Sequence, residues 1–123
     1  YGRATPPADR TFVEISSGVF HTCGIATNND VLCWGDNYNE QIDPIPLEKM
    51  ATLSSGRLHT CGITNQKNIL CWGSNTHGQL NSPEGEFDQI SASTTHNCGV
   101  KIDGSVHCWG NNEWGQSNAP SGN

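Results

Sequence analysis

The chain has 123 residues, of which 33% are hydrophobic and 15% charged, and its net charge is −6 at pH 7. This composition leaves a thin conventional hydrophobic core. The acidic balance argues against a nucleic-acid partner, which requires a cationic surface, and no apolar run is long enough to span a membrane. Abundant Gly, Asn, Ser and Thr favour short strands and turns, so we expect an all-β fold.

The first segment resembles the end of a later one. YGRATPP at residues 1–7 aligns with HGQLNSP at 77–83 and WGQSNAP at 114–120. Residues 1–11 are therefore predicted to be the tail of a preceding repeat.

A strand, a hairpin and a connecting loop then follow three times. The strands are EISSG, TLSSG and QISAS, and the hairpins are HTCGIATNNDVLCWG, HTCGITNQKNILCWG and HNCGVKIDGSVHCWG. The period is 38 residues from Cys23 to Cys61 and 37 from Cys61 to Cys98. Short strands repeated at roughly this period are typical of β-propeller blades. We predict a single repeat domain with blade 1 at 12–49, blade 2 at 50–86 and blade 3 at 87–123.

Each hairpin contains two cysteines. If the first turn is centred on Asn28, Cys23 lies opposite Cys33, at a Cα separation of roughly 4.5 to 5.5 Å that a disulfide accepts. The corresponding pairs are Cys61 with Cys71 and Cys98 with Cys108. A small chain with such a framework is typical of oxidising compartments, so we expect a secreted protein. Each bridge should stabilise the fold by about 2 to 4 kcal/mol.

Two other uses of the cysteines stay open at this point. Six cysteines can pair in many ways, although only pairing within each repeat leaves no end copy unpaired. Zinc is the second alternative, because histidines lie near the cysteines, but the tight Cys-x2-4-Cys spacing of zinc sites is absent. We therefore expect no metal and no cofactor.

The repeated motifs resemble a known superfamily. S-S-G-x-x-H-T-C-G-I followed by C-W-G-x-N-x-x-G-Q-L is similar to the repeat of the regulator-of-chromosome-condensation superfamily, over nearly the whole chain. The paired cysteines with CWG resemble the extracellular repeats of Crinkly-type receptor kinases, and the short period resembles the propeller-type β-lactamase inhibitor protein. The resemblance implies a β-propeller, usually of seven blades, that binds partners through its rim loops. We do not carry over the nucleotide exchange and chromatin docking of the founding nuclear member, because this chain is acidic and cysteine-paired.

Three blades leave two sheet faces uncovered, and such faces and edges require partners. One hypothesis is a homo-oligomer in which two chains form a six-bladed ring around a twofold axis. The other is that the chain is part of a longer array.

Catalytic chemistry is not indicated. His21, His59 and His96 are repeat-equivalent, which favours a structural role in which each bonds a carbonyl of a neighbouring strand. No Ser or Cys is placed as the nucleophile of a triad, so we expect no enzyme activity.

Recognition is expected where the repeats differ, in the loops after CWG. The candidate ligand-binding residues are Asp36, Tyr38, Asn39, His77, Glu113 and Trp114. Asn37, Asn75 and Asn112 recur and are expected to fix these loops through side-chain to backbone bonds. We expect a binding module for an extracellular protein, of the inhibitor or receptor-ectodomain type. The alternative is a carbohydrate-binding lectin with one site per repeat, made multivalent by oligomerisation.

Overall fold

The computed structural model describes residues 6–8, 10–37, 45–113, 115 and 118. Within those ranges, nine strands form three antiparallel sheets, each with three strands in sequential order. Blade 1 contains β1 (Phe12–Ser17), β2 (His21–Ala26) and β3 (Val31–Gly35). Blade 2 contains β4 (Met50–Ser55), β5 (His59–Thr64) and β6 (Ile69–Gly73), and blade 3 contains β7 (Phe87–Ala92), β8 (His96–Lys101) and β9 (Val106–Gly110). The predicted all-β fold of three repeated blades is confirmed, while the exact domain boundaries stay a prediction. No helix able to cross a membrane occurs in the described part of the chain.

The hairpin register agrees with the sequence-based expectation. Cys23 pairs with Cys33 across β2 and β3, and the equivalent cysteines pair in the other two blades. All three predicted disulfides are present, with Cα separations of 4.1, 4.0 and 4.0 Å. Each bridge therefore joins the second and third strands of one blade.

A glycine on each second strand, Gly24, Gly62 or Gly99, makes room for a large side chain. A Cβ on Gly24 would lie 2.8 Å from the Phe12 ring, and Met50 and Phe87 occupy the equivalent space in blades 2 and 3. The first residue of the first strand in each blade thus fills the space beside the glycine, because the first strand pairs directly with the second.

Neighbouring blades bury unlike faces against each other. In the first cluster, the disulfide and Ile25 of blade 1 pack with Met50, Leu53 and Trp72 of blade 2. In the second cluster, Cys61, Ile63 and Ile69 of blade 2 pack with Phe87 and Trp109 of blade 3. The core therefore lies between blades, so a single blade has little apolar surface to bury within itself.

Side chains of one blade cap the exposed strand edge of the next. Backbone N–H groups of β4 donate to blade 1, from Leu53 to Glu14 Oε2 at 2.6 Å and from Ser55 to Ser16 Oγ at 2.9 Å. The N–H of Ala92 in β7 donates in the same way to Ser54 Oγ at 2.8 Å. The first strand of each blade pairs with the second strand and has no strand on its other side. These bonds therefore satisfy backbone N–H groups that would otherwise lack a hydrogen-bond acceptor at the open edge of the sheet.

Two glycines, Gly18 and Gly56, lie directly against the backbone of the next blade. A Cβ on Gly18 would overlap the carbonyl oxygen of Gly56, and a Cβ on Gly56 would overlap the carbonyl oxygen of Ser93. Each would also lie closer than 3.0 Å to the imidazole three residues later, His21 or His59. Glycine at these positions therefore allows both the blade spacing and the buried histidine.

We predict that Gly56→Ser weakens the contact between blades 2 and 3. The added side chain forces the backbone or the His59 ring to shift, so the free energy of unfolding should fall by about 1 to 3 kcal/mol in urea titrations. Ser93→Ala is the matched control, because that position already carries a Cβ, and its effect should stay within about 0.5 kcal/mol. Equal stability of Gly56→Ser and the wild type would contradict the close packing.

Candidate functional site at one end of the blades

Two sets of loops lie together at one end of the blades. The residue that follows each third strand donates its N–H to the turn between the first and second strands: Asp36 to Phe20 O, Ser74 to Leu58 O and Asn111 to Thr95 O, at 2.8 to 2.9 Å. The loops after CWG and the turns between the first and second strands therefore form one surface. We call it the loop face, defined by residues 18–20, 36–37, 56–58, 74–80, 93–95 and 111–113.

A shallow cavity of about 300 Å³ lies on the loop face where the three blades meet. Each blade contributes its turn between the first two strands. The lining residues are Ser17, Gly18, Val19, Ser55, Gly56, Arg57, Ser93 and Thr94. Serine and threonine hydroxyl groups therefore line the cavity together with one apolar side chain, Val19, and one cationic side chain, Arg57.

Arg57 is the cation of this cavity. Its guanidinium carbon lies 5.7 Å from the centroid of the Phe20 ring, a cation–π contact between neighbouring blades. Among the described residues no carboxylate lies within ion-pair distance of Arg57. Its side chain is exposed and positioned at the cavity, so it is available to an acidic or hydrogen-bond-accepting group of a partner.

The opposite end, formed by the hairpin turns, uses its charges between blades. Lys49, directly before β4, pairs with Asp30 of blade 1, and Lys67 of blade 2 pairs with Asp88 of blade 3 at 2.8 Å. The hydrogen bond from Lys49 lowers the pKa of Asp30, and the hydrogen bond to Asp88 raises the pKa of Lys67. These two ion pairs thus link neighbouring blades at this end.

The structure places three of the six predicted binding residues on the loop face. Asp36 is half-buried, while His77 and Glu113 are exposed. His77 Nδ1 lies 3.1 Å from Thr76 Oγ1. The other three, Tyr38, Asn39 and Trp114, lie outside the described residues.

The loop of blade 2 is held by its polar side chains. Asn75 Oδ1 accepts the N–H of Leu80 at 2.8 Å, which confirms the expected loop-fixing role of this asparagine. Gln79 is buried, and its Oε1 accepts the N–H of His77 at 2.7 Å. The carbonyl oxygen of Gln79 accepts bonds from Asn97 Nδ2 at 2.7 Å and Trp109 Nε1 at 3.1 Å in blade 3. His77 is therefore presented by a loop that is fixed to both blades.

Two of the three repeat-equivalent histidines, His21 and His59, bind across blades, as expected for a structural role, but to side chains rather than to strand carbonyls. His21 Nε2 lies 2.6 Å from Thr60 Oγ1, and His59 Nε2 lies 2.8 Å from Asn97 Oδ1. Because Asn97 donates through Nδ2 to Gln79, its Oδ1 is the acceptor, so His59 donates from Nε2. The Nδ1 atom of His59 is then unprotonated and buried without a hydrogen-bond partner.

Both histidines are held neutral by their surroundings. Burial lowers the pKa of His21 from 6.5 to about 4, with a smaller lowering from His59. Burial also lowers the pKa of His59, although its bond to Asn97 acts in the opposite direction. Neither imidazole is therefore suited to act as a proton donor or acceptor for a ligand near neutral pH.

The cavity residues Val19, Arg57 and Thr94 were not among the binding residues predicted from the sequence. They occupy equivalent positions immediately after the turn glycine or serine, and they differ completely among the repeats. The criterion applied to the loops after CWG was that equivalent positions carry different residues in the three repeats. The same criterion would have identified these three positions. Their closeness to those loops was not visible, because it depends on how the third strand returns beside the first turn.

Comparison with known proteins agrees with this architecture. Residues 12–41, 51–79 and 87–116 match the family described as Regulator of chromosome condensation (RCC1) repeat. No curated protein sequence matches significantly.

Several solved structures are similar. The Crinkly WD40 ectodomain of the Arabidopsis thaliana receptor kinase ACR4 is 31% identical over 85% of this chain and 38% of its own, with a TM-score of 0.72. The entire ectodomain of the Physcomitrella patens receptor kinase CR4 is 26% identical over 96% of this chain and 35% of its own, with a TM-score of 0.80. Prp20p of Saccharomyces cerevisiae, 17% identical over 86% of this chain and 32% of its own with a TM-score of 0.74, shares the fold. The present chain spans about a third of the length of these proteins.

We predict that acid weakens the contact between blades 1 and 2 through His21. The unfolded imidazole has a pKa near 6.5 and the folded one near 4, so the unfolded state binds more protons between these values. Stability is then complete above pH 6.5 and falls as the pH drops toward 4, by up to about 3 kcal/mol. Urea titrations at several pH values measure this slope. His21→Gln should reduce the change of the free energy of unfolding with pH, whereas the exposed control His77→Gln should not. Equal slopes for both variants would contradict the assignment of the pH dependence to His21.

Proposed function

Because this chain belongs to the regulator of chromosome condensation (RCC1) repeat family, we propose that it is a non-enzymatic binding module that recognises an extracellular protein through the loop face. The observation that carries the proposal is the separation of repeated from divergent residues. Repeated cysteines, histidines and tryptophans build the blades and their contacts, whereas Val19, Arg57 and Thr94 diverge and line one cavity. Divergent positions on a rigid repeat frame are free to take on specific recognition.

The chemistry of the loop face suits a protein partner. Arg57 lies over Phe20 beside the exposed Val19, which combines a cation, an aromatic ring and an aliphatic side chain in a small area. Arginine and aromatic residues dominate the binding energy of many protein interfaces. The fixed loop that carries His77 adds a polar group at the rim without a large entropic cost on binding.

Two observations support an extracellular setting. All six cysteines are in disulfides, which persist in oxidising compartments. The similar structures from Arabidopsis thaliana and Physcomitrella patens are ectodomains of receptor kinases. The same disulfides support a non-enzymatic role, because no thiol remains as a nucleophile. We also propose that further blades complete the array.

A binding screen with matched variants tests the proposal. The wild type is screened against a panel of purified extracellular protein domains and against a glycan array. We expect a protein ligand whose affinity falls at least about tenfold in Arg57→Ala, the change typical of an interface hot spot. Gln66→Ala is the control, because Gln66 is exposed in a hairpin turn at the opposite end.

The outcomes separate the two candidate functions. A saccharide that binds the wild type and is lost in loop-face variants would favour the lectin alternative and overturn protein recognition. A protein ligand that Gln66→Ala weakens as much as Arg57→Ala does would place recognition away from the loop face.

A further inference from the structure

The contact between blades depends on a short segment that we call the trailing edge, Ser-x-Gly-x-x-His. It is formed by residues 16–21 in blade 1 and 54–59 in blade 2. The serine caps a backbone N–H of the next blade, the glycine touches its backbone carbonyl, and the histidine bonds its Thr60 or Asn97 side chain. All three interactions are present in both contacts that the structure describes.

Blade 3 departs from this pattern at the glycine. Its trailing edge, residues 91–96, keeps the serine and the histidine as Ser91 and His96, but Ser93 stands where the others have glycine. The local backbone is otherwise alike: the N–H of Ser93 donates to His96 O at 2.8 Å, as Gly18 and Gly56 do to His21 and His59. A Cβ is therefore present at the position where blades 1 and 2 have none.

This Cβ removes the space on which the contact depends. At Gly56 a Cβ would overlap the carbonyl of the next blade and the imidazole of the same blade. His21 and His59 are fully buried in that space. A further blade placed against blade 3 in the same geometry would bring its carbonyl oxygen onto the Ser93 side chain.

The opposite side of the array, the leading face of β1, has the features that receive a trailing edge. Ile15 is 54% exposed, whereas Leu53, at the equivalent position of β4, is 7% exposed beneath blade 1. The backbone N–H groups of Ile15 and Ser17 correspond to those of Leu53 and Ser55, which are capped by blade 1.

We propose that the array is directional. Its leading face receives a further blade that carries an unmodified Ser-x-Gly-x-x-His trailing edge, and Ser93 prevents the third blade of another copy from being that partner. Two wild-type copies then do not close a six-bladed ring by repeating the internal contact. The proposal concerns blade packing and is independent of what the loop face binds.

The variant Ser93→Gly tests both parts at once, because it restores the trailing edge within the full chain. We expect the wild type to stay monomeric in sedimentation equilibrium. Ser93→Gly should self-associate, with a dissociation constant at least about tenfold lower than that of the wild type. Ser93→Ala retains the Cβ and should behave like the wild type. Ile15→Lys in the Ser93→Gly background should abolish association, because it charges the leading face.

Leu47→Lys in the same background is the matched control for the lysine. Leu47 is 95% exposed in the connection between blades 1 and 2. It belongs neither to the leading face of β1 nor to the trailing edge of blade 3, so this change should leave the association intact. Two results would overturn the proposal. One is an identical mass for wild type and Ser93→Gly, and the other is a wild-type dimer that Ile15→Lys dissociates.

Discussion

The structure depends on one hydrogen bond that crosses from each blade to the next beside a glycine. His21 bonds Thr60 and His59 bonds Asn97, both fully buried. The imidazole can lie there only because the residue three positions earlier has no Cβ. This bond, with the serine caps on the neighbouring strand edge, replaces the large apolar core that a chain of this composition lacks.

Blade construction and recognition are therefore assigned to different residues. The disulfide face of one blade meets the tryptophan face of the next, and the hairpin-turn end is joined by Lys49–Asp30 and Lys67–Asp88 pairs. The loop face is left with side chains that differ from repeat to repeat, such as Arg57 and His77. A partner can thus be recognised there without any change in the disulfides, histidine bonds and serine caps that stabilise the array.

Repetition in the sequence made the blades predictable, because a hairpin is a local structure. The pairing of Cys23 with Cys33 followed from the turn position alone. Contacts between blades were less accessible, since the sequence does not show which groups meet across 38 residues. The side-chain acceptors of the histidines, Phe12 beside Gly24, and the closeness of Arg57 to the loops after CWG all depend on tertiary packing.

The central claim is that side chains of one blade satisfy the strand edge of the next. Residue-resolved amide hydrogen exchange of the native chain measures this most directly, because protection reports hydrogen bonds that open rarely. The account predicts slow exchange for Leu53, Ser55 and Ala92, whose N–H groups are capped by the preceding blade. It predicts fast exchange for Ile15 and Ser17, the equivalent positions on β1, against whose leading face no preceding blade packs among the described residues. Equal exchange rates for the two groups would contradict it.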